Sequence, residues 1–183
     1  MLSLLIILIL VAGFYQGYRR GLVLQGIRLI GYVITLVLTT RFYEPLSGFV
    51  EMLVPFPAIQ ADSQLALYGE QASFYVDQAF YRGLTFILIA IIGWLVTNFL
   101  SMFFQRLAYY DMYYYVDRIG GGIINFLVTY FMLFLILFIL SLIPIDFVQQ
   151  LFVDSPLAYW IVSQTPILSD LAINTWLSVN PNQ

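Results

Sequence analysis

Residues 15–40 read YQGYRRGLVLQGIRLIGYVITLVLTT, and the placement of their arginines decides the fold. Arg19 and Arg20 close one apolar run and precede a second, from Leu22 to Thr40. A bilayer is crossed by roughly 20 apolar residues, with a usable range of about 17 to 25. The second run therefore reads as a membrane-spanning helix entered through a short basic turn. Arg28, the third arginine, then lies inside the span, eight residues beyond Arg20 and about 12 Å from the helix end at 1.5 Å per residue.

The rest of the 183-residue chain agrees with that environment. Hydrophobic residues make up 62% and charged residues 9%, with a mean hydropathy of +0.91, far from the balance of a soluble domain. All seven basic residues are arginine, and histidine and cysteine are absent. Thiolate chemistry, disulfides, imidazole catalysis and His/Cys zinc sites are thereby excluded, and no cofactor or metal is expected. The net charge of −3 leaves no basic face for nucleic acid.

Four apolar runs, bounded by charges, predict an all-α integral membrane protein of four transmembrane helices arranged as two hairpins. They cover residues 1–18, 22–40, 84–105 and 119–143, with a loop at 41–83 and a tail at 144–183. The first run has no basic segment before LSLLIILIL, which argues for a retained helix over a cleaved signal peptide. Arg19 and Arg20 in the first turn, with Arg106 and Arg118 flanking the third loop, place both short loops in the cytoplasm by the positive-inside rule. Both termini are then expected outside. The long loop's two arginines are spread among five acids and weigh less.

Short amphipathic helices are expected in that loop, at YEPLSGFVEMLVPFP and SQLALYGEQASFYVDQAFYRG, and in the tail. In the tail, Ser155 before Pro156 and Thr165 before Pro166 each give the cap-then-proline pattern of a helix start. Leu157, Trp160, Ile161 and Gln164 share one face of the first, and Ile167, Leu171 and Asn174 one face of the second. Interfacial membrane contact and simple capping of the bundle remain equally open for them.

Three polar side chains fall at similar depth: Arg28, Asn98 eight residues before Arg106, and Asn125 seven after Arg118. A charge that deep must snorkel, pair or face a wet cavity, so the three form a candidate functional cluster. Snorkelling leaves Arg28 on lipid, whereas a cluster turns it toward the amides of Asn98 and Asn125. No acid lies within the runs, so an ion pair would need Asp111 or Asp117. Gly17 and Gly21 bracket a charged turn, which argues against a dimerising glycine motif, while Gly120 to Gly122 allow another backbone to approach. RRGLVLQGIRLIGY also aligns with DRIGGGIINFLVTY, which would relate the hairpins as a parallel repeat; chance similarity of two glycine-opened helices is the alternative.

The order of these segments resembles the colicin V production protein (CvpA) family of small bacterial inner-membrane proteins. The resemblance rests on GYRRGLVLQGIRLIGYVITLVLTTRFYEPL, VDRIGGGIINFLVTYFMLFLILFIL and the tail's SPLAYWIVSQTP, and it covers nearly the whole chain. The family's Gly-x-x-Arg-Gly turn falls on Gly17, Arg20 and Gly21, and its Asp-Arg-x-x-Gly turn on Asp117, Arg118 and Gly121. Two departures stand out. Ser3 occupies the region where many members carry an acid, and Asn125, Phe126 and Leu127 stand where many have a further glycine and an arginine.

The resemblance implies a non-enzymatic accessory factor in the bacterial cell membrane, serving toxin or bacteriocin production or export and envelope homeostasis. Its implied partners are the lipid bilayer and export machinery or other membrane proteins. The alternative is a small channel or transporter, as a homo-oligomer, with Arg28 at its polar cluster. A membrane enzyme is disfavoured by the missing His, Cys and Lys and by the lack of paired intramembrane acids.

Overall fold

The computed structural model describes residues 1–55, 67, 76–104 and 114–177. Its elements are α1 (Leu2–Arg20), α2 (Leu22–Leu53), α3 (Val76–Ser101), α4 (Tyr114–Ser141), α5 (Asp146–Val153), α6 (Pro156–Gln164) and α7 (Leu168–Ala172), which runs into a π-helical turn at Ile173–Leu177. No strand occurs among the described residues. Helices α1 to α4 are each long and apolar enough to cross a membrane.

The helices outrun the apolar segments that predict them. Helix α2 continues past Thr40 through Arg41, Glu44 and Pro45 to Leu53, so YEPLSGFVEML is not a separate surface helix. Its 32 residues span about 48 Å, against a hydrocarbon layer of about 30 Å, and the polar end accommodates the excess. Helix α3 likewise begins at Val76, and α4 at Tyr114, which places Asp117 and Arg118 in its first turns and not in a loop. Charge ends hydrophobicity without ending a helix, and these helices also continue through Pro45, Gly83 and Gly120 to Gly122. The expected helix over SQLALYGEQASFYVDQAFYRG lies largely outside the described residues, as do Arg106 and Asp111.

The chain forms two compact units. One comprises Met1–Leu4, Tyr43–Ile87 and Phe134–Gln183. Its core contains Phe80, Phe86, Phe134, Phe138, Phe152 and Trp176. Trp176 lies between Phe86 and Phe138, at centroid distances of 5.1 and 5.3 Å. Gly83 leaves the room, since a Cβ there would run into Ile139. Pro144 follows the end of α4, and Gln149 turns back to donate to the freed carbonyls of Ser141 (3.1 Å) and Ile143 (2.7 Å).

The tail belongs to this unit. Ser155 caps α6 as its place before Pro156 predicts: its Oγ accepts the Ala158 N–H at 3.2 Å and lies 2.7 Å from the Ser3 hydroxyl. Thr165 does not start the next helix. Its hydroxyl donates to Ile161 O at 2.6 Å at the end of α6, and α7 begins only after Ile167. Ile167 has φ 71° and ψ −49°, and Leu168 N–H donates to Pro166 O at 2.8 Å, a classic γ-turn. The expected faces are divided: Ile161 is buried with Ala158 and Val162, while Trp160, Ile167 and Leu171 are exposed.

The second unit comprises Leu5–Phe42 and Leu88–Leu133. It contains every described candidate residue and is built from α1, the first part of α2, the later part of α3 and most of α4.

Candidate functional site

The turn from α1 to α2 is a single residue, Gly21, with φ 81°, a conformation favourable to glycine. Its N–H donates to Gly17 O at 3.1 Å, closing α1 in the manner of a C-terminal cap. Gly13, Gly17 and Gly21 recur every four residues and form a bare stripe along α1. Gly121, Asn125 and Thr129 recur with the same period on α4 and face it.

The approach is close enough that no larger residue fits. A Cβ at Gly13 would lie 2.5 Å from Thr129 Oγ1, one at Gly17 would meet Gly121 O and Asn125 Cβ, and one at Gly121 would lie 2.7 Å from Gly17 O. This is the small-residue packing by which membrane helices associate, since van der Waals contact replaces the hydrophobic drive they lack in lipid. The glycines serve contact within the chain. A second pairing joins α2 to α3, where Gly31 receives Thr97 and Gly93 receives Thr35, in antiparallel register.

Asp117 completes the turn. Its Oδ1 accepts the N–H of Leu22, the first residue of α2, at 2.8 Å. A helix start leaves its first N–H groups unpartnered and carries partial positive charge, so a carboxylate there is stabilising on both counts. Arg118 lies over the rings of Tyr114 (4.4 Å to the centroid) and Tyr18 (5.5 Å). The two turns are thus docked: Gly17 and Gly21 from one contact Gly121 and Asp117 from the other.

Deeper in the unit the polar groups divide into two sets. Asn125 is 6% exposed, accepts from Gln25 Nε2 at 2.8 Å and donates to Gly13 O at 2.6 Å. Arg28 is 5% exposed and its Nε donates to Ser101 Oγ at 2.9 Å. Ser101 in turn donates to Asn98 O at 2.7 Å, and the Asn98 amide donates to Trp94 O (2.7 Å) and Tyr32 Oη (3.3 Å). Arg28 therefore turns into the protein, yet its partner is a hydroxyl and not either amide.

Arg28 and Asn98 meet through Ser101, while Asn125 pairs one turn away with Gln25. Gln25, Ser101 and Tyr32 complete these contacts and are absent from the sequence-derived set. Spacing carried a signal, because Gln25 stands three residues before Arg28 and Ser101 three after Asn98, on the same helix faces. Among the described residues of this unit, Arg28 Nη1 and Gln25 Oε1 are buried with no hydrogen-bond partner.

Two pockets open in this unit. One, about 290 Å³, is apolar and lined from α2, α3 and α4 by residues including Leu36, Thr39, Trp94 and Phe131. The other, about 470 Å³, lies among α1, α3 and α4, where Gln16, Arg20, Asn125 and Thr129 supply its polar lining. Neither is lined by Arg28 or Asn98.

The family model for colicin V production protein matches residues 2–166. The chain belongs to that family. Both docked turns lie inside the matched residues. The chain is also 29% identical over 179 residues to a Bacillus subtilis (strain 168) protein described as uncharacterized transmembrane protein YshB, covering 96% of this chain and 97% of that one. No solved structure matches.

Proposed function

We propose that the protein is a non-enzymatic accessory factor of the bacterial cytoplasmic membrane that supports toxin or bacteriocin production or export and the upkeep of the envelope. The observation that carries this reading is the use made of the residues onto which the resemblance places the family's turns. Gly17, Gly21, Asp117 and Gly121 are engaged in helix docking, which suits a scaffold more than a catalyst. The chain's lack of His, Cys and Lys supports the same view, because general acid–base and nucleophilic chemistry would have few groups to use. Exposed Trp160, Ile167 and Leu171 on the tail offer an apolar face to lipid or to a membrane partner.

In this reading the Arg19–Arg20 turn is cytoplasmic and both termini lie outside. A reporter that works only in an exported location should be active when fused after Gln183; activity there of a reporter that works only in the cytoplasm would reverse the topology. The function is tested by a clean deletion in the native host, with secreted and cell-retained bacteriocin-like peptide and envelope permeability measured on the same cultures. Retained peptide behind an intact envelope supports a direct export role, and a leaky envelope with normal secretion supports envelope upkeep alone. Normal secretion with a normal envelope would refute the proposal.

One observation favours the transport alternative: Arg28 holds a buried, unpartnered Nη1 deep in the span, and such groups mark ion or substrate paths in membrane proteins. Against it stands the absence of Arg28 and Asn98 from both pocket linings.

A further inference from the structure

The pocket among α1, α3 and α4 has a polarity gradient that neither helix packing nor the accessory reading accounts for. Arg20, Gln16, Ala12 and Ile9 line it from α1 at intervals of three to four residues, so they occupy one face of that helix. From Arg20 to Ile9 is eleven residues, or about 16 Å, close to the depth of one bilayer leaflet. The end of α1 at Arg20 is charged and hydrogen-bonding. The far end, with Ile9, Ile91 and Met132, is apolar.

Among the described residues, no acid pairs with Arg20. The ion pair found among the described residues joins Arg82 to Glu44, and Asp117 is committed to the Leu22 N–H. No acid lines the pocket. Beside Arg20, Gln16 is an exposed amide, and Asn125 uses one of its two N–H groups on Gly13 O.

We propose that this pocket binds one anionic phospholipid, with its phosphate against Arg20 and Gln16 and one acyl chain along the wall of Ala12, Ile9, Ile91 and Met132. A guanidinium offers several donors to phosphate oxygens, and basic pockets between membrane helices are suited to anionic headgroups. A soluble phosphate would occupy only the Arg20 end and leave the apolar length unfilled. A zwitterionic lipid would fill the length but gain less from the Arg20 guanidinium. The proposal goes beyond the accessory-factor reading and does not depend on it.

The test is lipid retention by the full-length protein in detergent, read by native mass spectrometry after titration with phosphatidylglycerol, phosphatidylcholine or inorganic phosphate. The expected result is at least a tenfold preference for phosphatidylglycerol over phosphatidylcholine. Arg20→Gln should remove most of that preference, and Ala12→Trp, which fills the apolar length while keeping the charge, should lower retention of phosphatidylglycerol about tenfold. Arg19→Gln, an equal loss of charge at a residue seated over Tyr15 and outside the pocket, should change neither. If Arg20→Gln does not fold, Ala12→Trp against Arg19→Gln still decides. Equal retention of the two lipids, or retention indifferent to Ala12→Trp, overturns the proposal. Inorganic phosphate bound in an Arg20-dependent way with no effect of Ala12→Trp would mean a phosphate site only, and also overturns it.

Discussion

Asp117 Oδ1 on α4 accepts the backbone N–H of Leu22 at the start of α2, a hydrogen bond of 2.8 Å between residues 95 apart in sequence. It ties the start of the second helix to the fourth, beside a glycine turn that has no side chain of its own to do so. Asp117→Ala should destabilise the protein by about 1 kcal/mol, within the usual range for losing a helix cap. Asp117→Asn keeps an acceptor oxygen and loses only the charge, so it should cost less. Thermal unfolding in detergent reads both.

The glycine stripe makes a prediction with a built-in rescue. Gly13→Ala places a methyl against the Thr129 side chain and should destabilise strongly, by about 1–3 kcal/mol, as overpacking does. Thr129→Gly removes the three atoms nearest the new methyl. The double variant should be more stable than the sum of the two single losses, with a coupling of about 1 kcal/mol or more in the same unfolding assay.

Arg28 and Ser101 should behave unequally. Ser101→Ala leaves the buried Arg28 Nε unpartnered and should cost about 1–3 kcal/mol. Arg28→Leu removes the charge together with its unsatisfied Nη1, and a leucine is at ease in hydrocarbon, so insertion and stability should be nearly unchanged. Secretion and envelope assays on Arg28→Leu then separate the two functional readings. Lost function in a stably inserted variant favours a working polar group, and full function favours a scaffold.

At Ile167 a β-branched residue occupies the centre of a γ-turn at φ 71°, a conformation costly for such a side chain. Because Ile167 is largely exposed, Ile167→Gly loses little packing and should stabilise the tail by about 1 kcal/mol. Slower amide exchange across α6 and α7 would register the gain.

The residues differ in how much of this they announced. The four spanning helices were legible because length and apolarity are one-dimensional properties. Their ends were not: Arg41, Glu44, Tyr114 and Asp117 mark where polarity begins, and a helix continues through all of them. Glycine spacing announced close approach, but spacing names no partner, and the partner of Gly13, Gly17 and Gly21 is α4 of the same chain. For Arg28 the depth could be counted from Arg20. Its direction depends on the rotation of α2 against α3, set by Gly31 with Thr97 and Gly93 with Thr35, pairings that span 66 and 58 positions. Ser155 was legible as a cap because serine before proline is a local signal. Thr165 carried the same signal and lost, because Ser169 takes the Thr165 N–H at 3.1 Å and donates to Val162 O at 2.7 Å, holding the chain in a sharper turn.

The docking of the two turns is tested most directly by a double-mutant cycle between Asp117→Ala and Leu22→Pro. Leu22 is the first residue of α2, a position where proline is tolerated, and proline removes the N–H that Asp117 accepts. In the natural background Asp117→Ala should cost about 1 kcal/mol, and in the Leu22→Pro background close to nothing. An equal loss in both backgrounds would show that Asp117 stabilises the protein by some other route, and would contradict the docked-turn arrangement.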